Sequence, residues 1–393
     1  MKVTTPGTER ARRESVFHRL YTGTGAFDIV GKRVRWYVAL GLLVLVCIGA
    51  MGINRFNLGI DFEGGTKIQL PAVGAQGPIR TDQVQDAFQR ALGHPAETVQ
   101  IAGVGANQSI QIRSSSLTVD QVAAVKQSLF NEVRPLDAQG QPSQQVISDS
   151  AVSGSWGGEI TQQALIALAV FLVLVTIFLA FYFEKWMAVA ALIALLHDVV
   201  VTAGIYSLVG FEVTPSTVIG LLTILGFSLY DTVVVFDKVK ENTRGLLGLT
   251  RRTYAEAANL AVNQTLMRSI NTALIALLPV IGLLVVGAGM LGVGVLRDLA
   301  LVQLVGMLTG VVSSIFLATP LLVDFKMRGR DPKFREHAAK VQQRRERAAA
   351  KAAGEDVPAE PKHAVAAGSG AGSARRPSRP MSKTGRPTGK RRR

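Results

Sequence analysis

The stretch Val213-Thr-Pro-Ser-Thr-Val-Ile-Gly-Leu-Leu-Thr-Ile-Leu-Gly-Phe-Ser-Leu-Tyr-Asp-Thr-Val-Val-Val-Phe236 decides how this chain folds. It is apolar for long enough to cross a bilayer, which takes about 20 residues, yet it carries a carboxylate, Asp231. A carboxylate at such a depth costs roughly 2.5–3.5 kcal/mol on insertion scales. A group that expensive is kept where it has a partner or a task. The candidate partner is Arg268, which opens the next apolar run, and the candidate task is proton handling.

Working outward, five more runs of similar length lie at 36–53, 161–183, 187–209, 269–288 and 299–323. One such helix can be buried in a soluble protein; six in one chain of 393 residues point to a polytopic membrane protein. The net charge of +15 sits at the ends: residues 1–35 are basic, as is the tail 326–393, whereas 54–160 is slightly acidic. The loop 237–268 is basic too, through Lys238, Lys240, Arg244, Arg251 and Arg252. The positive-inside rule then predicts both termini and that loop on the cytoplasmic side, with 54–160 outside. The first run is too long for the usual 7–15-residue core of a signal peptide, so a retained anchor is expected. Cys47 is the only cysteine, which rules out an intramolecular disulfide and a cysteine-based metal site.

Segment 54–160 has its own pattern. Strands are expected at Thr66–Leu70, Thr98–Ala102, Ser109–Ser114 and Gln144–Val152, and helices at Thr81–Leu92 and Thr118–Val133. Thr118 and Gln121 have capping-box spacing. The order is βαββαβ, of ferredoxin-like type. The predicted fold class is thus a membrane all-α bundle of six transmembrane helices with one external α+β domain, the last five helices occupying 161–325. The loop after the fourth run is expected to hold a surface helix, Thr253–Asn263, ahead of the fifth span. The tail is rich in Ala, Gly, Pro, Lys and Arg, and its composition reads as disordered.

Asp231 lies six residues before Asp237 at the inner end of its run, about 9 Å along a helix. Arg268 enters the following antiparallel span from the same side, so the two side chains are expected to meet. The alternative is a static ion pair that holds two helices. Burial and a neighbouring guanidinium act on a carboxyl in opposite directions. Movement of Arg268 toward or away from Asp231 would therefore switch the site between releasing and holding a proton. One proton crossing the field yields about 2.3 kcal/mol per 100 mV. His197-Asp198, mid-way along the third run, is either a second piece of a polar path or a structural pair. Gly287-Ala-Gly-Met-Leu-Gly292 matches a dinucleotide-binding pattern, but no strand precedes it, and its glycines are read as places of close approach. Pro215, Pro279 and Pro320 are read as kinks or ends of spans.

Several of these residues carry a family resemblance. Asp61-Phe-Glu-Gly64-Gly65-Thr66, just after the first run, resembles the D-F-x-G-G-T signature of the SecD/SecF family. Leu196-His197-Asp198, Gly226-Phe-Ser-Leu-Tyr230-Asp231-Thr232 through Asn242, and Asn263-Gln-Thr-Leu-Met-Arg268-Ser-Ile-Asn271 resemble the SecF branch over about residues 30–325. The residue before the aspartate, usually Asn in the family, is Tyr230 here. The resemblance implies a bacterial cytoplasmic-membrane protein that is a transport subunit and not an enzyme. It implies a heterodimer with a SecD-type subunit beside the SecYEG channel, which uses the proton gradient to help exported, unfolded polypeptides finish crossing. It assigns proton passage to Asp231 and Arg268, with His197 and Asp198 beside them and Thr232, Asn263 and Asn271 as supporting polar residues. No cofactor is expected beyond the proton as coupling ion. Membrane lipids are further expected partners, and the basic cluster Arg375 to Arg393 is expected to contact anionic lipid or ribosomes or simply to be solvated. The competing readings are a proton-driven exporter of small molecules or lipids of the resistance-nodulation-division type, and a proton-inert scaffold of the translocase.

Overall fold

A computed structural model describes residues 27–102, 108–137, 139–290, 294–328 and 332–353. It is mostly helical, and six of its helices are long and apolar enough to cross a membrane. The elements up to Arg344 form one compact unit; a second begins at Arg345, and its described part is the end of the last helix.

The first apolar helix is α1, Arg33–Asn54. It leads into a short strand β1, Asn57–Leu58, and a single-turn helix α2, Ile60–Glu63. The α+β portion follows: β2 (Gly65–Pro71), a small hairpin β3–β4 (Val73–Gly74 and Gly77–Pro78), α3 (Thr81–Leu92), β5 (Thr98–Ala102), β6 (Ser109–Ser114), α4 (Val119–Val133) and β7 (Ser148–Val152). The four longer strands lie in the order β5-β6-β2-β7, and every neighbouring pair is antiparallel. Alternation decides which face is covered. Ile68 and Leu70 of β2 stand opposite Ile112 and Ile110 of β6, and all four are buried. They pack on Val84, Ala87 and Phe88 of α3 and on Val125 and Leu129 of α4. The expected capping box holds: the Thr118 hydroxyl accepts from the Gln121 N–H at 3.3 Å, and the Gln121 side chain accepts from the Thr118 N–H at 2.9 Å. The last strand is shorter than expected, because Gln144–Val146 turns as a 3-10 helix ahead of it.

The bundle comprises α1, α5 (Gly154–Tyr182), α6 (Lys185–Val209), α7 (Pro215–Thr243), α8 (Tyr254–Gly282), α9 (Gly294–Ser313) and α10 (Thr319–Arg328). A π-helical stretch, Leu283–Met290, continues α8, and another, Ser314–Ala318, joins α9 to α10. Pro215 starts α7, Pro279 lies inside α8, and Pro320 lies at the start of α10. Small residues let α7 and α9 approach. A Cβ at Gly310 would meet the Ser228 Cβ at 2.9 Å, and one at Gly287 would meet Leu296 Cδ1 at 2.8 Å. Gly292 and its neighbours lie outside the described residues, so only part of that glycine pattern is seen. A short strand β8, Glu212–Val213, pairs in parallel with β1 and ties the exit of α1 to the start of α7.

Two expectations are corrected. The expected surface helix Thr253–Asn263 is not separate from the fifth span: Tyr254–Gly282 is one helix, opened by a Thr253–Glu256 capping box. Its polar residues mark one face of a helix and not a break. The tail is not wholly disordered either. α10 runs to Arg328, and Lys333–Ala352 forms a further helix, α11. Composition misled because three side chains suffice to dock it: Phe334 packs against the Tyr254 ring at 4.9 Å, and His337 and Val341, one turn apart, are buried. Residues 354–393, with the basic cluster, lie outside the described part, as do residues 1–26.

Candidate functional site: a buried carboxylate network

Ser228, Asp231 and Thr232 lie three and four residues apart, so they share a face of α7. That face is buried in the bundle. Asp231 is 4 % exposed. Its Oδ1 accepts a hydrogen bond from the Ser269 hydroxyl of α8 at 2.5 Å. Its Oδ2 is buried with no hydrogen-bond partner among the described residues.

The expected meeting of Asp231 with Arg268 is not what the structure holds. Arg268 is exposed, and its Nη2 donates to the Tyr230 hydroxyl at 3.2 Å. No ion pair joins Arg268 to Asp231 among the described residues. The physical reason is angular. Successive helical residues point about 100° apart, so when Ser269 meets Asp231, Arg268 points to the exposed side of the contact with α7. Tyr230, the departure from the family pattern, is what receives the guanidinium.

Asp198 of α6 forms the second centre and is 1 % exposed. Its Oδ2 accepts from the Ser228 hydroxyl at 2.5 Å and from the Ser313 hydroxyl of α9 at 2.9 Å. Its Oδ1 stands 3.2 Å from His197 Nδ1. The Ser314 hydroxyl donates to the Ser228 carbonyl at 3.3 Å and shares a 2.8 Å hydrogen bond with Thr232. The second centre thus links α6, α7 and the α9–α10 junction, and the Asp231–Ser269 pair adjoins it through the shared face of α7. That junction is the π-helical stretch Ser314–Ala318. Such bulges often mark functional positions in membrane and soluble helices alike.

Of the expected site residues, Asp231, Asp198, His197 and Thr232 come together, and Arg268 lies next to them on the outer face. Asn263 does not join. Its side chain accepts from the Phe27 N–H at 2.9 Å and donates to the Phe27 carbonyl at 2.8 Å, clamping the segment before α1. Asn271 is exposed on α8. The serine hydroxyls were missed. Their signals are faint: Ser228 precedes Asp231 by three, Ser269 follows Arg268, and Ser313-Ser314 interrupts an apolar run.

The motif after α1 makes a joint and touches neither carboxylate. Gly64 and Gly65 have φ of +79° and +132°. A Cβ at Gly64 would meet the Gly154 nitrogen at 2.7 Å, and one at Gly65 would meet the Ser114 carbonyl oxygen at 2.6 Å. The Thr66 hydroxyl accepts from the Leu117 N–H at 3.0 Å, and Asp61 lies in the first turn of α2. Glycine is needed here because the start of β2, α2 and the start of α5 converge on one backbone.

Among the described residues, no group of three or more His, Cys, Asp or Glu side chains is arranged to hold a metal ion. What the site offers is two buried carboxyl groups held by hydroxyls. A hydroxyl both donates and accepts, so each carboxyl can keep a partner whether ionised or neutral.

The family described as "Protein export membrane protein SecD/SecF, C-terminal" matches residues 133–328, and the "SecD/SecF GG Motif" matches residues 49–75. The chain is 54% identical over 342 residues to the protein translocase subunit SecF of Mycobacterium tuberculosis, covering 87% of this chain and 76% of that one. It is 44% identical over 314 residues to the SecF subunit of Streptomyces coelicolor, covering 78% of this chain and 79% of that one. The crystal structure of SecDF, a translocon-associated membrane protein from Thermus thermophilus, superposes with a TM-score of 0.65 at 31% identity. That match covers 76% of this chain and 38% of the SecDF chain. With the paired glycines and six apolar helices in place, the chain belongs to the SecF family of protein translocase subunits.

Proposed function

We propose that this chain works with a SecD-type partner to couple proton entry to the movement of exported polypeptides across the membrane, with Asp231 as the group that takes and releases the proton. The observation that carries this reading is the state of the Asp231 carboxyl: buried, held at one oxygen by Ser269, and without a donor at the other. An ion at that depth without full compensation is costly. A proton or an approaching guanidinium removes that cost. Arg268, one residue from Ser269, is the group placed to approach. In the arrangement observed it is turned to Tyr230, so the reading has Arg268 leaving and rejoining Asp231 as the proton arrives and departs. Asp198, with the Ser228 and Ser313 hydroxyls, extends the path toward His197.

Arg268 shares an exposed face of α8 with the apolar Ile275, two turns on. A guanidinium among lipid-facing side chains is expensive, which supports placing the SecD-type partner against this surface. The basic loop after α7 and the basic ends of the chain support a cytoplasmic position for both termini. The strand order β5-β6-β2-β7, antiparallel throughout, supports an external domain of ferredoxin-like type. It would be the part that moves against exported polypeptide beside the SecYEG channel.

The test is Asp231→Asn and, separately, Arg268→Met in vesicles that carry the assembled translocase with its SecD-type partner. Loss of gradient-stimulated export, with assembly and gradient-independent export kept, is the expected result. Undiminished export in both variants would reduce the chain to a scaffold. Intact export with lost efflux of a small molecule or lipid would favour the exporter reading.

A further inference from the structure

A cavity of 510 Å³ lies where the bundle ends at the loop that follows α7. Its size falls within the roughly 300–1,000 Å³ of small-ligand sites. Three acids and three bases line it, so it is electrically balanced: Glu184, Asp237 and Glu241 against Lys240, Arg244 and Lys326. Part of that charge is already spoken for. Lys326 pairs with Glu184, and Lys238 holds Glu241 at 2.9 Å. Lys240 and Arg244 hold no carboxylate among the described residues, and Asp237 has only a 3.3 Å hydrogen bond from the Tyr182 hydroxyl. Tyr254 also lines the cavity; it is 2 % exposed, and its hydroxyl has no hydrogen-bond partner among the described residues.

The open valences are therefore two cations and one hydroxyl donor, with one carboxylate. Lysine, arginine and a phenol together suit a phosphodiester. A carboxylate in the same cavity suits a cation carried by the same molecule. A multiply charged anion such as a nucleotide would leave the acids opposed, and a simple cation would leave Lys240 and Arg244 opposed. The level of the site adds the source. Trp186 stacks on Phe325 at 5.6 Å, and Lys185 lies 5.5 Å over the Trp186 ring, next to Glu184. Tryptophan and lysine so placed mark the membrane–water interface, where headgroups lie. Basic pockets at helix ends on that side are known to take lipid headgroups.

We propose that this cavity binds the phosphoethanolamine headgroup of a membrane phospholipid, its phosphate held by Lys240, Arg244 and the Tyr254 hydroxyl and its ammonium by Asp237. The site is separate from the carboxylate network and does not depend on the proton reading. Phe334 of α11 closes one side of it, so lipid occupancy and docking of that helix are linked.

The experiment is native mass spectrometry of the full chain in detergent, titrated with dioleoyl phosphatidylethanolamine, dioleoyl phosphatidylglycerol, soluble phosphoethanolamine or inorganic phosphate. Phosphatidylethanolamine is expected to bind at least tenfold more tightly than phosphatidylglycerol. Arg244→Gln should weaken it about tenfold and Tyr254→Phe severalfold, while Asp237→Asn should weaken phosphatidylethanolamine but strengthen phosphatidylglycerol. Equal binding of the two lipids, or an Asp237→Asn variant that leaves their order unchanged, overturns the proposal. Binding of phosphoethanolamine or phosphate as tight as that of the lipid overturns the lipid source. Circular dichroism of each variant separates loss of the site from loss of the fold, and the two conservative changes, Tyr254→Phe and Asp237→Asn, decide the matter if Arg244→Gln does not fold.

Discussion

Removal of one hydroxyl tests how firmly the Asp198 carboxyl group is held. Asp198 Oδ2 accepts from both Ser228 and Ser313, at 2.5 and 2.9 Å. Ser313 also bonds the Gly310 carbonyl at 3.1 Å, so Ser313→Ala removes a donor from Asp198 and leaves α9 intact. A hydrogen bond to an ionised group contributes about 1.5–3 kcal/mol, whereas neutral interhelical bonds in membrane proteins average about 0.6 kcal/mol. The double-mutant cycle of Ser313→Ala with Asp198→Ala isolates that contact. With two hydroxyls converging on one buried oxygen and neither exposed to water, a coupling energy of about 1–2 kcal/mol is expected. The measurement is reversible unfolding in a mixed micelle or bicelle, with Ser228→Ala as a second arm. A coupling near about 0.5 kcal/mol would make the contact no stronger than an ordinary interhelical bond, and a coupling of zero in both arms would refute the reasoning that these hydroxyls hold Asp198.

Three further outcomes follow from the same geometry. Gly65→Ala meets the Ser114 carbonyl and takes a side chain into a φ of +132°; a loss of at least about 1–3 kcal/mol is expected, read as a lowered Tm and faster proteolysis at the junction of α2 with β2, and wild-type values would refute it. Tyr230→Phe removes only the 3.2 Å bond from Arg268, worth about 1 kcal/mol, so gradient-stimulated export should fall less than about fivefold, far less than in Arg268→Met. The Arg90 guanidinium, 2.8 Å from Glu132, holds that exposed carboxyl below its ordinary value. A lowered folded value means stability that is present above the unfolded pKa and lost as pH falls through the folded one. Arg90→Met should therefore lower stability slightly near neutral pH and leave it unchanged at low pH, so that the acid side of the unfolding profile flattens; the effect is small because the pair is exposed.

Much of the fold was legible because its signals are long. A span of 20 apolar residues or a run of alternating strand residues is a sum over many side chains, and local exceptions do not overturn it. The six spans and the βαββαβ order both have this character. The misses share the opposite one. The pairing of β1 with β8 rests on two residues from each side, Asn57–Leu58 with Glu212–Val213, and backbone pairing that short leaves no periodicity to read. The helix α11 was hidden by composition, since burial of His337 and Val341 is a matter of two positions within a strongly charged segment. Asn263 looked like a member of the site because it lies near Arg268 in the chain. It points instead at Phe27, more than two hundred residues away in sequence, and no local signal announces that.

The choice of Ser269 over Arg268 as the neighbour of Asp231 is the most instructive of these differences. Sequence reading pairs charges by sign, and by sign Arg268 is the better match. Packing pairs them by angle, and of two successive residues of α8 it is Ser269 that reaches Asp231 while Arg268 reaches Tyr230. A guanidinium fixed on Asp231 would hold the carboxylate ionised, because arginine donates and never accepts. A serine hydroxyl serves the ion as donor and the acid as acceptor. The helices need not be rebuilt when the proton comes or goes, and Arg268 is left free to report the change on the surface it shares with Tyr230. A site built in this way is suited to exchange protons in a manner that a sealed salt bridge is not. On the proposed reading, the exposed position of Arg268 leaves it able to move, which membership of a static ion pair would not.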